Sequence, residues 1–550
     1  MNLITLIDAL KLNIEGAIEK SKQSFSLNFV TPDINIEIPS QSIHGELSSN
    51  ISMVCSKLFK MPPHKIADSL VSNMEKSEYV FRCEVAGAGF INFFLSQKFF
   101  SDVLMEIDEK YGEINYGNGK KVLVEFVSSN PTGPMHMGNA RLGALGDSLS
   151  EILRYAGYDV LKEFYVNDAG NQIKKFSESL ASRYLQIFDS NVPFPEDGYH
   201  GDDIKELAQK FAKIHGDSFT LKSKDILEKE ICNFALPINI SRIKSNLEDY
   251  KVFYDSWFHE SELYKSGEVD ETINKIKELG FAYSKDGSLW FEASKFGCEK
   301  DEVLVRKNGI PTYFAADVAY HVNKFIKRNY DICIDFLGAD HHGHVPRMRA
   351  AMRCFGIDDS RLVFIISQFV RLIKDGKVDS MSKRSGKSES LEDFMKLVNV
   401  DCARFIFNMQ DSNSTMDFDI DMSIKNDSSN PSYYVKYAYA RIKSILNKVD
   451  NVDLRKMNLE MLTSKSERDL IFTLSEFPFE IQESARLLNS TKIVRYAVKV
   501  ASVFHKFYNS EKVNCENEEL RCARYFLCSK VLTVMDNIFK IMKIDAPDHM

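Results

Sequence analysis

Residues 121–155 read KVLVEFVSSNPTGPMHMGNARLGALGDSLSEILRY, and this stretch decides the fold. Lys121–Val127 is almost continuously apolar, which is typical of a strand buried on both faces of a parallel sheet. The Pro/Gly turn at 131–134 ends the strand, and apolar residues then recur at helical spacing. A strand, a turn and a helix in this order predict a nucleotide-binding edge of an open parallel sheet.

Polar residues beside this turn are candidates for contacts with a phosphate. His136, Gly138 and Asn139 lie where the helix begins, so the free N–H groups of its first turn would face the same ligand as His136. Glu125 lies within the strand, and an ionised carboxylate there needs a partner. An ordinary turn with a surface histidine explains this stretch about equally well, because glycine turn motifs are weak evidence alone.

A second polar segment lies far down the chain. Val378–Lys387 reads VDSMSKRSGK, a basic loop in which Lys383 is suited to stabilise the charge of a phosphate during transfer. Ser390 is followed three residues later by Asp393, which predicts the capped start of a helix. Taken alone, the segment is explained better as a solvated basic loop.

Together the two segments resemble the paired signatures of class I aminoacyl-tRNA synthetases. HMGN at 136–139 is similar to the HIGH motif, and SMSKR at 380–384 is similar to the KMSKS motif. Further segments, in the same order along nearly the whole chain, narrow the resemblance to the arginyl-tRNA synthetase family: EFVSSNPTGPMHMGN, FYVNDAGNQ, PTYFAADVAYH, GADHHGHVPRM, NPSYYVKYAYARI and APDHM. The residues that depart from the motifs are Asn139, Ser380 and Arg384. These departures put in question how the phosphate contacts are divided among the residues of the two motifs.

The pattern and the resemblance predict three domains. Residues 1–110 form an α+β N-terminal domain, which the resemblance assigns to the tRNA elbow; a structural cap is the alternative. Residues 118–395 alternate strands and helices, which predicts an α/β, Rossmann-like doubly wound parallel-sheet catalytic domain with an insertion at about 190–300. Residues 400–550 are helical in periodicity and predict an all-α C-terminal bundle, an anticodon-binding domain by resemblance. A dimerisation bundle explains that pattern equally well.

The resemblance implies an arginine site that needs carboxylates. Asp317 is expected to pair with the guanidinium in a bidentate manner, and Tyr313, four residues earlier, would share its helix face. Glu125 and Asn130 would hold the α-amino group. Alone, Asp317 would be explained better as a helix cap or a surface acid.

The resemblance also implies an ATP site across the carboxyl edge of the sheet. The expected catalytic residues are His136, Asn139 and Lys383. The expected ATP-binding residues are His136, Gly138, Asn139, Gly338, Asp340, His341, Met381, Ser382 and Lys383. GADHHGH at 338–344 also resembles a His-rich metal site, but it lacks the helical i, i+4 histidine pair.

The implied reaction uses ATP with Mg²⁺, L-arginine and tRNA(Arg). The arginine carboxylate attacks the α-phosphate of ATP, and a terminal ribose hydroxyl of the tRNA, the 2′-hydroxyl by class resemblance, then attacks the adenylate. The family resemblance implies that activation requires the tRNA. The ten cysteines include no CxxC pair, so neither a zinc site nor any other metal-ligating residue set is expected.

Composition is typical of a soluble cytoplasmic enzyme, and a monomer is expected. The chain has 550 residues and a net charge of −8, with no secretory signal or membrane span expected. A tRNA needs only a local positive face, and the candidate clusters are Lys324/Lys327/Arg328, Lys383/Arg384/Lys387 and Lys436/Arg441/Lys443. Two alternatives remain: a related adenylyl-transferring enzyme for another amino acid, and a non-catalytic RNA-binding paralogue.

Overall fold

The amino-terminal part packs helices against a small antiparallel sheet. The structure is a computed structural model that describes residues 2–378, 390–449 and 452–547. The helices here are α1 (Leu3–Ser24), α2 (Ile51–Val54), α3 (Ser56–Phe59), α4 (Pro63–Asn73) and α5 (Gln97–Glu106), and the strands are β1 (Leu47–Ser49), β2 (Val80–Ala86) and β3 (Phe90–Leu95). The strand order is β1-β3-β2. The α+β prediction for this part is confirmed.

A five-stranded parallel sheet forms the centre of the molecule. Its strands are β4 (Lys121–Glu125), β5 (Asp159–Val166), β6 (Ser256–His259), β10 (Ile332–Gly338) and β11 (Leu362–Ser367); a separate antiparallel sheet contains β7 (Ala282–Lys285), β8 (Ser288–Phe291) and β9 (Glu302–Val305). The central order is β11-β10-β4-β5-β6, and every neighbouring pair is parallel. The order reverses between β4 and β10, which confirms the doubly wound prediction and marks the edge where ligands bind.

Helices cover both faces of the central sheet and build the insertion. They are α6 (Gly138–Tyr155), α7 (Gly170–Phe188), α8 (Asp202–His215), α9 (Lys224–Asp249), α10 (Glu260–Lys265), α11 (Glu268–Glu278), α12 (Tyr313–Val322) and α13 (His344–Cys354). Helix α12 continues into a π-helical turn, Asn323–Lys327. Helices α7, α8 and α9 enclose a small core of their own.

Helix α6 lies unusually close to β4 because it contains Gly146. A Cβ atom at Gly146 would lie 2.3 Å from Cγ of the buried Phe126 ring. We expect Gly146→Ala to lower the free energy of unfolding by about 1–3 kcal/mol, because the ring has no room to move in a packed core. Chemical denaturation measures this. Gly16→Ala in α1 is the matched control: nothing lies within 4 Å of its Cβ position, so it should instead stabilise by about 0.5–1 kcal/mol. Equal effects at the two sites would contradict the close-packing argument.

The carboxy-terminal third is a helical bundle with a small three-stranded sheet at its start. A small sheet of order β13-β12-β14 is formed by β12 (Val370–Lys374), β13 (Lys377–Val378) and β14 (Met416–Asp419). The helices that follow β13 are α14 (Leu391–Leu397), α15 (Val400–Phe407), α16 (Ile420–Ser423), α17 (Pro431–Lys448), α18 (Lys465–Ser475), α19 (Phe477–Leu487), α20 (Thr491–Ser510) and α21 (Glu518–Met542). The bundle confirms the helical prediction, whereas β14 was not predicted.

The amino-terminal part packs directly on this bundle. Gln97 donates through Nε2 to the carbonyl oxygens of Leu459 and Leu462 at 3.0 and 3.1 Å. Arg468 donates to the Leu95 carbonyl at 3.0 Å. The amino-terminal part and the carboxy-terminal bundle are therefore in direct contact. Among the described residues, every helix is too short or too polar to cross a membrane.

Candidate active site

A cavity of about 570 Å³ lies at the carboxyl edge of β4 and β10, where the strand order reverses. It is lined by seven of the residues predicted to bind arginine or ATP: Glu125, Asn130, Tyr313, Asp317, Gly338, Asp340 and His341. These residues come from three separate stretches of the chain. The structure therefore brings the predicted arginine site and the predicted adenosine side of the ATP site together.

Glu125, at the end of β4, has the buried partner that its position requires. Lys324 Nζ donates to Glu125 Oε2 at 2.7 Å, and the Lys324 side chain is fully buried. Burial raises the pKa of Glu125, and the charge of Lys324 opposes that rise. Arg328 pairs with Glu163 at 2.7 Å. The suggestion that Lys324, Lys327 and Arg328 form a positive face for tRNA is therefore wrong. Lys324 and Arg328 instead form ion pairs within the domain, with Glu125 and Glu163.

The backbone just after β4 is strained. Val127 and Ser128 have φ angles of +68° and +39°, a region that costs a non-glycine residue about 1–3 kcal/mol. This conformation places the Ser128 hydroxyl between two groups: it donates to Glu125 Oε1 at 3.0 Å and accepts from the Tyr165 N–H at 3.1 Å. The strain fixes the orientation of the Glu125 carboxylate at the cavity wall.

Asp317 is held by two imidazoles and faces the cavity. His344 Nε2 bonds Oδ2 of Asp317, and His321 Nδ1 lies 3.2 Å from Oδ1. Burial alone raises the pKa of Asp317, but His344 and His321 together outweigh it and hold that pKa well below the ordinary value. Tyr313 lines the same cavity from the same face of α12, as its spacing predicted. Asp317 is therefore neither a helix cap nor a surface acid.

Glu260 is a site residue that the sequence analysis missed. Its side chain is buried and lines the cavity that contains Asp317, yet neither carboxylate oxygen has a hydrogen-bond partner. Burial, with the charges of Asp168 and Asp317, raises its pKa to about 7. The signal that could have found it is positional: Glu260 directly follows β6, as Glu125 ends β4, so both acids lie at the carboxyl edge.

The predicted phosphate-binding turn lies at the start of α6. His136 Nδ1 accepts from the Gly138 N–H at 2.9 Å, so a neutral His136 carries its proton on Nε2, where it can donate to a ligand. Asn139 Oδ1 accepts from the His136 N–H at 3.0 Å. The expectation that the first helical N–H groups are free for a phosphate is wrong for these positions, because the turn satisfies the Gly138, Asn139 and Ala140 N–H groups internally.

The second signature lies outside the described residues, and with it Met381, Ser382 and Lys383. The next described residue, Ser390, forms an antiparallel bridge with His136, and the Leu391 N–H donates to the Met135 carbonyl at 2.9 Å. Ser390 also accepts from the Asp393 N–H at 3.1 Å, which confirms the predicted capped helix start. Ser390, six positions after the second signature ends, therefore contacts the first signature.

The histidines at 341–344 do not form a metal cluster in the described part of the chain. His341 Nε2 lies 3.5 Å from Asp340 Oδ2. His344 Nε2 bonds the Asp317 carboxylate, and His344 Nδ1 accepts from Arg347. Across residues 2–378, 390–449 and 452–547, no group of three or more His, Cys, Asp or Glu side chains is arranged to hold a metal ion.

Three family models match the chain in succession. The arginyl tRNA synthetase N terminal domain matches residues 8–95, the catalytic domain of class I (R) tRNA synthetases matches residues 101–419, and the DALR anticodon binding domain matches residues 435–550. The catalytic model alone covers more than half of the chain.

Full-length relatives and solved structures agree with these matches. An arginine–tRNA ligase of Acetivibrio thermocellus is 46% identical over 549 residues, covering 98% of this chain and 97% of the relative. One of Caldanaerobacter subterraneus is 47% identical, covering 97% of each. A Campylobacter jejuni structure described as an arginyl-tRNA synthetase has a TM-score of 0.75 at 33% identity and covers 83% of this chain and 100% of its own. With relatives this similar over the full length, the chain belongs to the arginyl-tRNA synthetase family of class I aminoacyl-tRNA synthetases.

Proposed function

We propose that this chain is an arginine–tRNA ligase, which activates L-arginine with ATP to arginyl-adenylate and transfers it to the 3′-terminal adenosine of tRNA(Arg), releasing AMP and pyrophosphate. The observation that carries the proposal is the cavity shared by Asp317 and Glu260. Two acids there, one of them without any hydrogen-bond partner, suit a ligand that stays cationic at every physiological pH.

The arginine site is assigned from the groups around the cavity. Asp317 and Glu260 would bind the guanidinium, with Tyr313 as an aromatic wall. Glu125 and Asn130 would hold the α-amino group at the other end. Because Asp317 Oδ2 already accepts from His344, and His321 Nδ1 lies 3.2 Å from Oδ1, its contact with the guanidinium uses the remaining lone pairs.

ATP would lie from the α6 turn across the carboxyl edge of β10. His136 Nε2 and the side-chain amide of Asn139 are the donors proposed for the phosphates, with Gly138 allowing close approach. Gly338, Asp340 and His341 would line the adenosine, and Met381, Ser382 and Lys383 would complete the phosphate contacts. The described residues provide no protein cage for a divalent cation, so Mg²⁺ is proposed to arrive on the ATP phosphates as part of the substrate.

In the first step an arginine carboxylate oxygen bonds to the α-phosphorus as the bond to the pyrophosphate oxygen breaks. In the second step the 2′-hydroxyl of the terminal adenosine bonds to the arginyl carbonyl carbon, and AMP leaves. The protein binds and orients the reactants and stabilises phosphate charge. No residue of the chain needs to form a covalent intermediate.

The wider organisation is proposed to follow the same family. Residues 1–110 would bind the tRNA elbow, residues 118–395 would carry the chemistry, and residues 400–550 would bind the anticodon. We also propose that the chain acts as a cytoplasmic monomer.

ATP–pyrophosphate exchange tests the proposal. The full-length protein is assayed with each standard amino acid, with and without total tRNA. Exchange that depends on arginine and appears only when tRNA is added is the expected result. Exchange with a different amino acid would identify another adenylyl-transferring enzyme, and no exchange under any condition would favour an RNA-binding paralogue.

Lys383 is the only lysine that matches a lysine of the KMSKS signature. We expect Lys383→Ala to lower the exchange rate constant by roughly 100-fold, because one cation beside the transferring phosphate is lost. Arginine binding, measured by calorimetry, should stay unchanged. Lys387→Ala, in the same segment, is the control and should retain near-normal exchange. Near-normal exchange by Lys383→Ala would mean that Lys374, Lys377 or Arg384 supplies the charge.

A further inference from the structure

The two ends of the proposed arginine site are joined inside the protein. Lys324 Nζ donates to Glu125 Oε2 at 2.7 Å and to Asp335 Oδ1 at 2.8 Å. His321 Nε2 bonds Asp335 Oδ2 at 2.7 Å, and His321 Nδ1 lies 3.2 Å from Asp317 Oδ1. We call these five residues, Glu125, Lys324, Asp335, His321 and Asp317, the buried salt-bridge network.

Geometry shows that His321 is a cation in this network. Its Nδ1 lies 2.8 Å from the Asp317 carbonyl oxygen, which can only accept, so Nδ1 carries a proton. Its Nε2 faces the Asp335 carboxylate, which Lys324 keeps ionised, so Nε2 carries a proton as well. Burial and Lys324 lower the pKa of His321, but the carboxylates of Asp317 and Asp335 raise it to about 9.

The middle of the network is closed to solvent. The side chains of Lys324, His321 and Asp335 are 0%, 4% and 4% exposed. Aromatic rings cover the two cations: the Tyr320 ring lies 4.1 Å from Lys324 Nζ, and the Phe364 ring centroid lies 6.4 Å from that of His321. The charged groups facing His321 are Asp317 on its own helix, Lys324 on the following turn and Asp335 on β10. In such an environment each charge acts strongly on the next.

The network alternates in sign and shares each inner charge between two neighbours. Lys324 is shared by Glu125 and Asp335, and Asp335 is shared by Lys324 and His321. A change that weakens the ion pair between Asp335 and Lys324 strengthens the ion pair between Lys324 and Glu125. Glu125 then presents less negative charge to the cavity.

We propose that Asp335 and His321 are positioning residues that set how strongly Glu125 holds the α-amino group of arginine, because they compete with Glu125 for the ammonium of Lys324. The inference rests on the proposed function, since it takes Glu125 as the α-amino contact. It assigns to the reaction two largely buried residues of the cavity wall, which act on the α-amino group through Lys324 and Glu125.

Calorimetric binding of two ligands to the full-length protein, without ATP or tRNA, tests the inference. The ligands are L-arginine and 5-guanidinopentanoic acid, which is arginine without its α-amino group. The ratio of the two dissociation constants, analogue over arginine, measures what the α-amino group contributes. Damage to the guanidinium end alone affects both ligands equally and cancels in this ratio.

The expected changes have opposite signs. In Asp335→Asn, Lys324 loses its second carboxylate partner and pairs more strongly with Glu125, which then attracts the α-amino group less. The ratio of dissociation constants should therefore fall by about threefold or more. In His321→Gln, Asp335 loses its cationic partner and pairs more strongly with Lys324, so Glu125 is freer to attract the α-amino group. The ratio of dissociation constants should therefore rise by about threefold or more. His64→Gln, on an exposed position of α4, is the matched histidine control and should leave the ratio unchanged.

Several outcomes would overturn the inference. An unchanged ratio in either folded variant would show that the two ends act independently, and a shift of both variants in the same direction would indicate general damage to the pocket. Circular dichroism establishes that each variant is folded; if Asp335→Asn is not, His321→Gln decides by itself. Failure of the wild-type protein to bind arginine at all would instead count against the proposed function.

Discussion

Asp317→Asn is expected to lower kcat/KM for arginine in ATP–pyrophosphate exchange by about 10³-fold. The substitution removes the charge that we propose faces the guanidinium, and breaking one partner of a buried, hydrogen-bonded ion pair costs about 2–5 kcal/mol. It also disturbs the orientation of the group, because the asparagine amide nitrogen would meet either His344 Nε2, which now donates to the carboxylate, or His321 Nδ1, which lies 3.2 Å from it.

Selectivity gives a second measurement on the same variant. A site built around a charge rejects a neutral analogue by about 10⁴-fold or more, so citrulline should be excluded by the wild-type protein and much less so by Asp317→Asn. Asp270→Asn, on an exposed position of α11, is the matched control and should retain normal kinetics. An active Asp317→Asn variant with unchanged selectivity would point to another amino acid as the substrate.

Glu260→Gln is expected to weaken arginine binding by about 100-fold at pH 8, because an unpartnered carboxylate in the proposed guanidinium pocket is neutralised. The pH dependence should change with it. Burial, Asp168 and Asp317 raise the pKa of Glu260 to about 7. Below that pH the group takes up a proton and loses its charge, so the dissociation constant of wild-type protein should rise toward tenfold per pH unit. Above it, the constant should level off.

Calorimetric titrations between about pH 6 and pH 8 separate this effect from others, since free arginine keeps the same charge across that range. The Glu260→Gln variant should bind weakly with a flat pH profile. Glu262→Gln, an exposed acid on the same short helix, serves as the control and should keep the wild-type profile. A variant that retains the wild-type pH dependence would show that another group titrates.

The parts of this molecule that follow from local sequence were predictable. The strand and the helix within residues 121–155 each show the hydrophobic pattern typical of that element. Tyr313 and Asp317 lie four residues apart, and this spacing alone places them on one face of a helix. Strand β14 was missed because four residues, MDFD, show too short a pattern and become a strand only by pairing with β12.

Charges whose role depends on tertiary packing were not predictable. Lys324 stands in sequence beside Lys327 and Arg328 and resembles a surface cluster, yet the fold buries it between Glu125 and Asp335. Glu260 lies in the stretch FHESELYK, where the residue types alone do not distinguish it from the exposed Glu262 and only its place directly after β6 does. Its burial depends on elements far away in the chain, because it lines the same cavity as Asp317 on α12 and Gly338 at the end of β10.

The way Asp317 is held restricts how this protein can evolve a new substrate. An apolar residue at that position would leave His344 Nε2 without its carboxylate acceptor and would remove the negative charge that His321 faces, so it costs more than the contact with the substrate. Single apolar substitutions at this position are therefore expected to inactivate the protein rather than to give it a new substrate. Codon-reassignment efforts that begin from this scaffold should vary Asp317, His321 and His344 together in one library.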